Sequence, residues 1–278
     1  MSVGKTSRNA QPFTNVVGTG EATSIIPVGM TLNNLQLQLG FGVGGAFTKA
    51  MIDLIRIYAN AKVIFEGTGT QIDKINAYRG QVSDASFLDV TFEDLTGLDQ
   101  VDRVVGALDT SVGIAQLTTS VKINGATQPT LVGTAFETAP QRTASGAVSP
   151  FAGLIAKQLR YPFNTANGGT LPMLFPFGKN VGAVIKRVHI FHTNMTAAVV
   201  KEDSVVKFER TKARNEYEQK RHGRVPQLGM FTIDFIEGGN VMEAFDTRKA
   251  QSVDWLFDFS AADSGYVVIE YLDVLGNL

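Results

Sequence analysis

The stretch "LQLQLGFGVGGAF" (residues 35–47) admits two folds. Leu35, Leu37 and Leu39 alternate with glutamines, the pattern of a strand with one buried side, and the glycines at 40, 42 and 45 follow with G-x-G-x-x-G spacing. In a dinucleotide-binding α/β protein such glycines follow a strand, open a helix and precede an acidic residue about 20 positions on. Phe47, Ala50, Met51, Leu54, Ile55 and Tyr58 have helical spacing, and Glu66 ends the apolar run "KVIFE". In the other reading these glycines form a loop between two strands of an all-β protein.

Internal repetition separates the two readings. "SIIPVGMTLNNLQLQL" (24–39) has a counterpart in "MLFPFGKNVGAVIKRVHIF" (173–191), "KVIFEG" (62–67) in "VVKFER" (205–210), and "ALDT" (107–110) in "AFDT" (244–247). The matches run in the same order, and the interval from Phe65 to Gly80 equals that from Phe208 to Gly223. The chain therefore reads as a tandem duplication. A phosphate loop in the first copy should have some echo in the second, yet "FHTNMTAAVVKEDSVVKFE" (191–209) contains no glycine, and its charges break a helical apolar stripe. A hairpin fits both copies, "LIRIY" turning into "KVIFE" and "AAVVK" turning into "SVVKFE". The glycines at 40–45 are accordingly expected in a flexible loop between strands.

Alternation recurs in "MFTIDFIE" (230–237) and "VDWLFDF" (253–259), and 28 glycines supply turns. Each copy shows seven or eight short strands and one short helix. Thr70 and Gly80 bracket the first helix, with Ile72 and Ile75 as buried positions; Thr211 and Gly223 bracket the second. The expected class is all-β, two tandem eight-stranded jelly-roll β-sandwiches with a short helix in each. The expected division is a flexible amino-terminal arm over 1–14, a first jelly roll over 15–138, a linker over 139–163 and a second jelly roll over 164–278. The linker is placed on "ETAPQRTASGAVSPFAG", which is rich in small residues and lacks periodicity.

Composition narrows the chemistry. Of 278 residues, 44% are hydrophobic and 18% charged, as in a globular protein, and a net charge of −1 gives no general attraction to nucleic acid or anionic membrane. The absence of cysteine removes disulfides, thiolate metal sites and a cysteine nucleophile. With no spanning-length apolar run or signal-peptide pattern, the chain is read as soluble and made in the cytoplasm. "GKTS" (4–7) resembles the end of a phosphate loop but lacks the upstream glycine and strand. His189 and His192, three apart on a strand, point to opposite faces; His222 sits beside a helix stop, where a cation near the carbonyl end is favourable. No G-x-S-x-G elbow accompanies the histidines. Glu66 and Glu209, at matching places in the two copies, read as strand-end acids at helix caps. The one basic segment, 207–224, carries Lys207, Arg210, Lys212, Arg214, Lys220, Arg221 and Arg224. It is a candidate surface for phospholipid, viral nucleic acid or the acids of a neighbouring chain, or a solvated helix face.

The carboxyl-terminal stretch "MFTIDFIEGGNVMEAFDTRKAQSVDWLFDFSAADSGYVVIEYLDV", the opening "TSIIPVGMTLNNLQLQL" and the Phe-Glu-plus-helix element resemble the major capsid proteins of tailless, membrane-containing icosahedral phages, of corticovirus type. The resemblance implies a double jelly roll with barrels side by side, standing roughly perpendicular to a virion shell. Homotrimers of pseudo-hexagonal outline would tile that shell over an internal membrane, meet vertex (penton) proteins, read no nucleic-acid sequence and have no enzymatic activity. It also implies calcium, for which the aspartates between Asp94 and Asp109 are candidates only as hard-cation ligands, beside the plainer reading as solvated loop acids. The rival function is a carbohydrate-binding or hydrolytic β-sandwich, which would expose aromatic side chains; the single Trp255 lies in a pattern that reads as buried.

Overall fold

The alternating leucines at 35–39 lie on a strand that continues through the glycines. The computed structural model describes residues 4–143, 145–147, 153–177 and 183–278, and the chain divides into two units. The first unit holds β1 (Thr6–Asn9), β2 (Gly20–Ile26), β3 (Thr31–Ala46), β4 (Ile52–Ala59), β5 (Lys62–Gly67), α1 (Gly69–Tyr78), β6 (Phe87–Thr91), α2 (Gln100–Val104), β7 (Leu108–Asp109), β8 (Leu117–Ile123) and β9 (Thr127–Thr138). Then come β10 (Leu154–Thr165), β11 (Gly169–Met173), β12 (Val184–Phe191), β13 (Met195–Glu202), β14 (Val205–Thr211), α3 (Lys212–Arg221), β15 (Met230–Asp234), β16 (Phe245–Asp246), β17 (Val253–Phe259) and β18 (Asp263–Val274).

In the first unit, the sheets are β1-β9-β3-β6, with the short β7 beside β3, and β2-β8-β4-β5. Those of the second are β10-β18-β12-β15, with β16 beside β12, and β11-β17-β13-β14. Each strand of one unit has its counterpart at the same place in the other, which gives two eight-stranded jelly rolls. The duplication extends to irregularities. The hairpins β4–β5 and β13–β14 turn on Asn60-Ala61 and Asp203-Ser204, all four at positive φ, and both carry a bulge at the same step, Ile57/Tyr58 and Val200/Lys201. This is the twist-compatible two-residue turn built without glycine.

The threonines of "ALDT" and "AFDT" also act alike. Thr110 Oγ1 donates to Met30 O at 2.7 Å and accepts the Gly29 N–H at 2.9 Å; Thr247 Oγ1 donates to Ala183 O at 2.9 Å and accepts the Ala183 N–H at 3.0 Å. Each ties the short strand to the chain entering the sheet's long central strand. Alternation decides which face turns inward. Leu35, Leu37, Leu39, Ile55, Ile57, Leu88, Val90, Val121 and Ile123 fill the first core. Val188, Ile190, Ile233, Val267, Ile269, Phe257 and Phe259 fill the second, with Trp255 edge-on to Phe175 at 5.5 Å. Each such side chain contributes roughly 1.5–3 kcal/mol of hydrophobic stabilisation.

Several expectations need correction. Glycines 40–45 are not a loop between strands: β3 runs through them with a bulge between Phe41 and Ala46. At Gly45 the backbone of β9 passes close, so that a Cβ would stand 2.5 Å from Thr127 O, whereas Gly44 takes a positive φ with open space around it. The first helix is capped by Thr68, not Thr70. Thr68 Oγ1 accepts the Gln71 N–H and Gln71 Oε1 accepts the Thr68 N–H, both at 3.1 Å, a reciprocal capping box. Within 1–14, Thr6–Asn9 is a strand paired with β9, and Thr14 bridges Thr23; residues 1–3 lie outside the described residues. Within 139–163, the strand β10 begins at Leu154, while 144 and 148–152 lie outside the described residues. The units meet in sequence at Gln158/Leu159, the first also taking Asp273–Leu278 and the second Tyr78–Gly80.

Candidate functional site

The second unit holds a buried group of ionisable side chains on the face of β12 turned away from the core. Arg187 and His189 alternate there with Val188 and Ile190, and their neighbours in register are Asp234 and Thr232 on β15 and, for Arg187, Glu270 on β18. Arg187 Nε donates to Asp234 Oδ2 at 3.0 Å, and its Nη1 lies 3.4 Å from Glu270 Oε2. Glu270 Oε1 takes Arg79 Nη2 at 2.5 Å and lies 3.0 Å from His189 Nε2, whose Nδ1 is 2.9 Å from Thr232 Oγ1. Tyr78 donates its hydroxyl proton to Asp234 Oδ2 at 2.9 Å, and Arg224 Nε stands 3.6 Å from the same oxygen. The layer is closed above by α3, whose Asn215 and Gln219 both donate to Thr232 O, at 2.7 and 2.8 Å.

Arg187 and His189 have no exposed surface, so this is not a site that a solute reaches. Its electrostatics are those of a sealed layer. Burial, then the negative charge of Asp234, pushes the Tyr78 hydroxyl well above its ordinary range. Burial pushes His189 below the usual imidazole value in spite of Glu270. For Glu270 burial alone would raise the carboxyl, but the Arg79 charge, the His189 contact and Arg187 outweigh it and hold the group well below the usual carboxylate range. With His189 neutral, Arg79, Arg187 and Arg224 face Asp234 and Glu270. Glu270 and Asp234 thus anchor the cations that sequence inspection leaves unconnected. The legible signal was the i, i+2 pair Arg187/His189 on a strand whose other face carries the core residues Val188 and Ile190, which requires a second covering layer.

The seven basic residues of 207–224 do not form one surface. Arg224 is buried and donates to Glu237 O at 3.0 Å, which removes it from any lipid or intersubunit contact. Arg210 pairs with Glu237, and Lys207 with Glu202 at 2.8 Å. Lys212, Arg214, Lys220 and Arg221 lie on α3, where Arg214, Lys220 and Arg221 are exposed and Glu218 stands 3.5 Å from Arg221. His189 and His192 have separate partners, His192 Nδ1 accepting the Met195 N–H at 3.0 Å; His222 caps α3, its Nδ1 2.9 Å from Glu218 O. Neither glutamate caps a helix: Glu66 accepts from Arg56 Nε at 3.0 Å on the neighbouring strand, and Glu209 is exposed. In "GKTS", Thr6 and Ser7 belong to β1 and Lys5 pairs with Glu93 at 3.1 Å.

The aspartates between 94 and 109 are engaged locally. Asp94 Oδ1 accepts from the Thr96 hydroxyl at 2.6 Å, Asp99 caps α2 through the Asp102 N–H at 2.9 Å, and Asp109 accepts from Ser111 and from the Gln141 N–H. No group of three or more His, Cys, Asp or Glu side chains placed to hold a metal ion occurs among the described residues. No helix among them is long and apolar enough to cross a membrane. Trp255 is 1% exposed in the second core, so the exposed indole that a glycan-binding face would use is not there.

The model of the viral coat protein P2 N-terminal domain matches residues 7–139, and that of the P2 C-terminal domain matches residues 155–275. The chain belongs to the viral coat protein P2 family. The two family domains correspond to the two jelly rolls, so its role is that of a structural capsid protein of the virion. Among solved structures it is similar to the major capsid protein P2 from bacteriophage PM2 (TM-score 0.84, 18% identity, 97% of each chain covered). It is also similar to the STIV major capsid protein (TM-score 0.68, 14% identity, covering 98% of this chain and 97% of that one) and to the PBCV-1 capsid (TM-score 0.62, 9% identity, 98% and 94%). At such identities the likeness establishes the double jelly-roll fold. No curated protein matches.

Proposed function

We propose that this coat protein acts as a homotrimer, three chains contributing six similar jelly rolls to a pseudo-hexagonal tile of an icosahedral shell, with no catalytic role. The observation that carries the reading is the strand-for-strand equivalence of the two units, which lets one cyclic threefold operator generate a near-sixfold outline. On the resemblance, the shell surrounds an internal membrane and meets separate vertex proteins. The exposed cations of α3, interleaved with Glu216 and Glu218, are too closely balanced for a polybasic lipid anchor and are read as a contact with a neighbouring copy. Calcium, if bound in the shell, would draw its ligands from more than one chain. Native mass measurement tests the core of the proposal: three times the 29.9 kDa chain mass is expected, and a stable monomer at micromolar concentration would overturn it.

A further inference from the structure

The two jelly rolls differ at one sheet edge. In the first unit the outer edge of β5 is occupied: Gln158, in the first part of β10, pairs in parallel with Phe65, and its Nε2 donates to Glu66 O at 3.4 Å. In the second unit β14 takes the place of β5, with the same turn and the same bulge, but it ends its sheet. Burial follows this difference. Phe65 and Phe208 are both buried, at 4% and 6%, whereas the counterparts of half-buried Val63 and buried Ile64 are exposed Val206 and Lys207. Val205 and Val206 therefore present apolar side chains, 59% and 47% exposed, on a strand whose outer edge pairs with no other strand among the described residues, a template for strand addition.

The occupant is indicated by the same equivalence. The end of β10 that belongs to the first unit meets β5 at the pair Gln158–Phe65, and the strand that holds the place of β10 at the start of the first unit is β1. The residues of β1 are exposed, and the strand is bonded on one side to β9 and, among the described residues, ends its own sheet. Its Arg8 and the preceding Lys5 are paired within the chain, to Glu137 at 2.7 Å and Glu93 at 3.1 Å, so what β1 offers a neighbour is its backbone edge. We propose that β1 of one copy adds in parallel to the edge of β14 in a neighbouring copy, as Gln158 pairs in parallel with Phe65 of β5. Each copy has one such strand and one such edge, so the contact is head-to-tail and is used up when a ring closes. This inference rests on the trimer reading.

The cysteine-free chain permits a direct test in the full-length protein. Thr6→Cys, Ser7→Cys, Arg8→Cys and Asn9→Cys are each combined with Val206→Cys or Glu209→Cys and oxidised mildly, with the single-cysteine variants as controls. Covalent dimers and trimers are expected on non-reducing gels at positions alternating along β1. A trimer by native mass with no cross-link at any pair, or with cross-links only within one chain, overturns the strand assignment and leaves the trimer standing. A monomer by native mass overturns both. Val206→Lys supplies a second measurement at an exposed position: an unchanged melting temperature with trimer affinity reduced at least tenfold is expected, and unchanged affinity refutes the contact.

Discussion

Replacing Glu270 by glutamine tests whether the sealed polar layer of the second unit is held by its charges. The carboxylate, 3% exposed, receives Arg79 at 2.5 Å, His189 at 3.0 Å and Arg187 at 3.4 Å, and Asp234 is the other carboxylate within reach of Arg187. Glu270→Gln keeps the volume and one acceptor but leaves two buried guanidiniums short of a counter-charge, and breaking a buried pair in this way costs about 3–5 kcal/mol. The second unit, Tyr78–Gly80 with Leu159–Leu272, is a domain of about 120 residues, for which 1 kcal/mol moves Tm by roughly 3–5 °C, so a fall of about 10–20 °C is expected. The only tryptophan, Trp255, lies in that unit's core, so thermal unfolding followed by its fluorescence reports this unit. Adding Arg79→Met to Glu270→Gln removes the surplus charge and should restore at least half of the loss, a coupling that a double-mutant cycle measures. A fall of less than about 3 °C, or a double variant with simply additive losses, would refute the electrostatic account.

Because the folded protein holds His189 below the usual imidazole value of about 6.5, the unfolded chain binds a proton there that the folded one refuses. Stability is thus full above about pH 6.5 and falls as pH drops toward the folded value, by at most about 1.4 kcal/mol per pH unit; denaturant titrations of His189→Gln should lack that slope, and Glu270 adds a further loss in the same direction only below its ordinary carboxylate value. Thr110→Val and Thr247→Val each remove a buried hydroxyl from equivalent bonding patterns and should each cost about 1–3 kcal/mol in urea unfolding. A large loss from one and none from the other would refute their equivalence. Gly45→Ala drives a Cβ against the Thr127 carbonyl and should destabilise by about 1–3 kcal/mol, whereas Gly40→Ala meets only the rotatable Thr130 hydroxyl and should cost less than 1 kcal/mol, as calorimetry will show.

Much of this architecture was legible because a jelly-roll strand with one buried side writes its period into the sequence. The alternations at 35–39, 230–237 and 253–259 lie on β3, β15 and β17, and the hairpin at "ANA" turns on Asn60-Ala61. What escaped notice is one element seen twice, β1 and its counterpart β10. "TSRN" has no apolar residue, since an exposed edge strand has no face to bury, and β10 opens directly after a Pro/Gly/Ser-rich run. The glycines of β3 misled for a related reason: close approach of a second strand selects glycine as firmly as a turn does. The polar layer was half legible. Arg187 and His189 could be placed on one face of β12, but the partners that neutralise them come from Tyr78–Gly80 and from Glu270, far away in sequence.

Comparing the copies residue by residue shows where divergence was permitted. Inward positions keep their character, Leu35 and Leu37 answering to Val188 and Ile190, because both interiors face the same packing constraint. Outward positions beneath the helices do not. In the first unit Asn34 and Gln36 bond Asp89, and α1 presents Ile72 and Ile75 with Asn76 donating to the Asp89 carbonyl. At the matching places the second unit has Arg187, His189 and Thr232, and α3 presents Asn215 and Gln219. Asn76 and Gln219 make the same bond, but where α1 adds the apolar area of Ile72, α3 adds a second directed bond from Asn215, which leaves it less free to slide. The second helix should therefore be the more exactly positioned of the two.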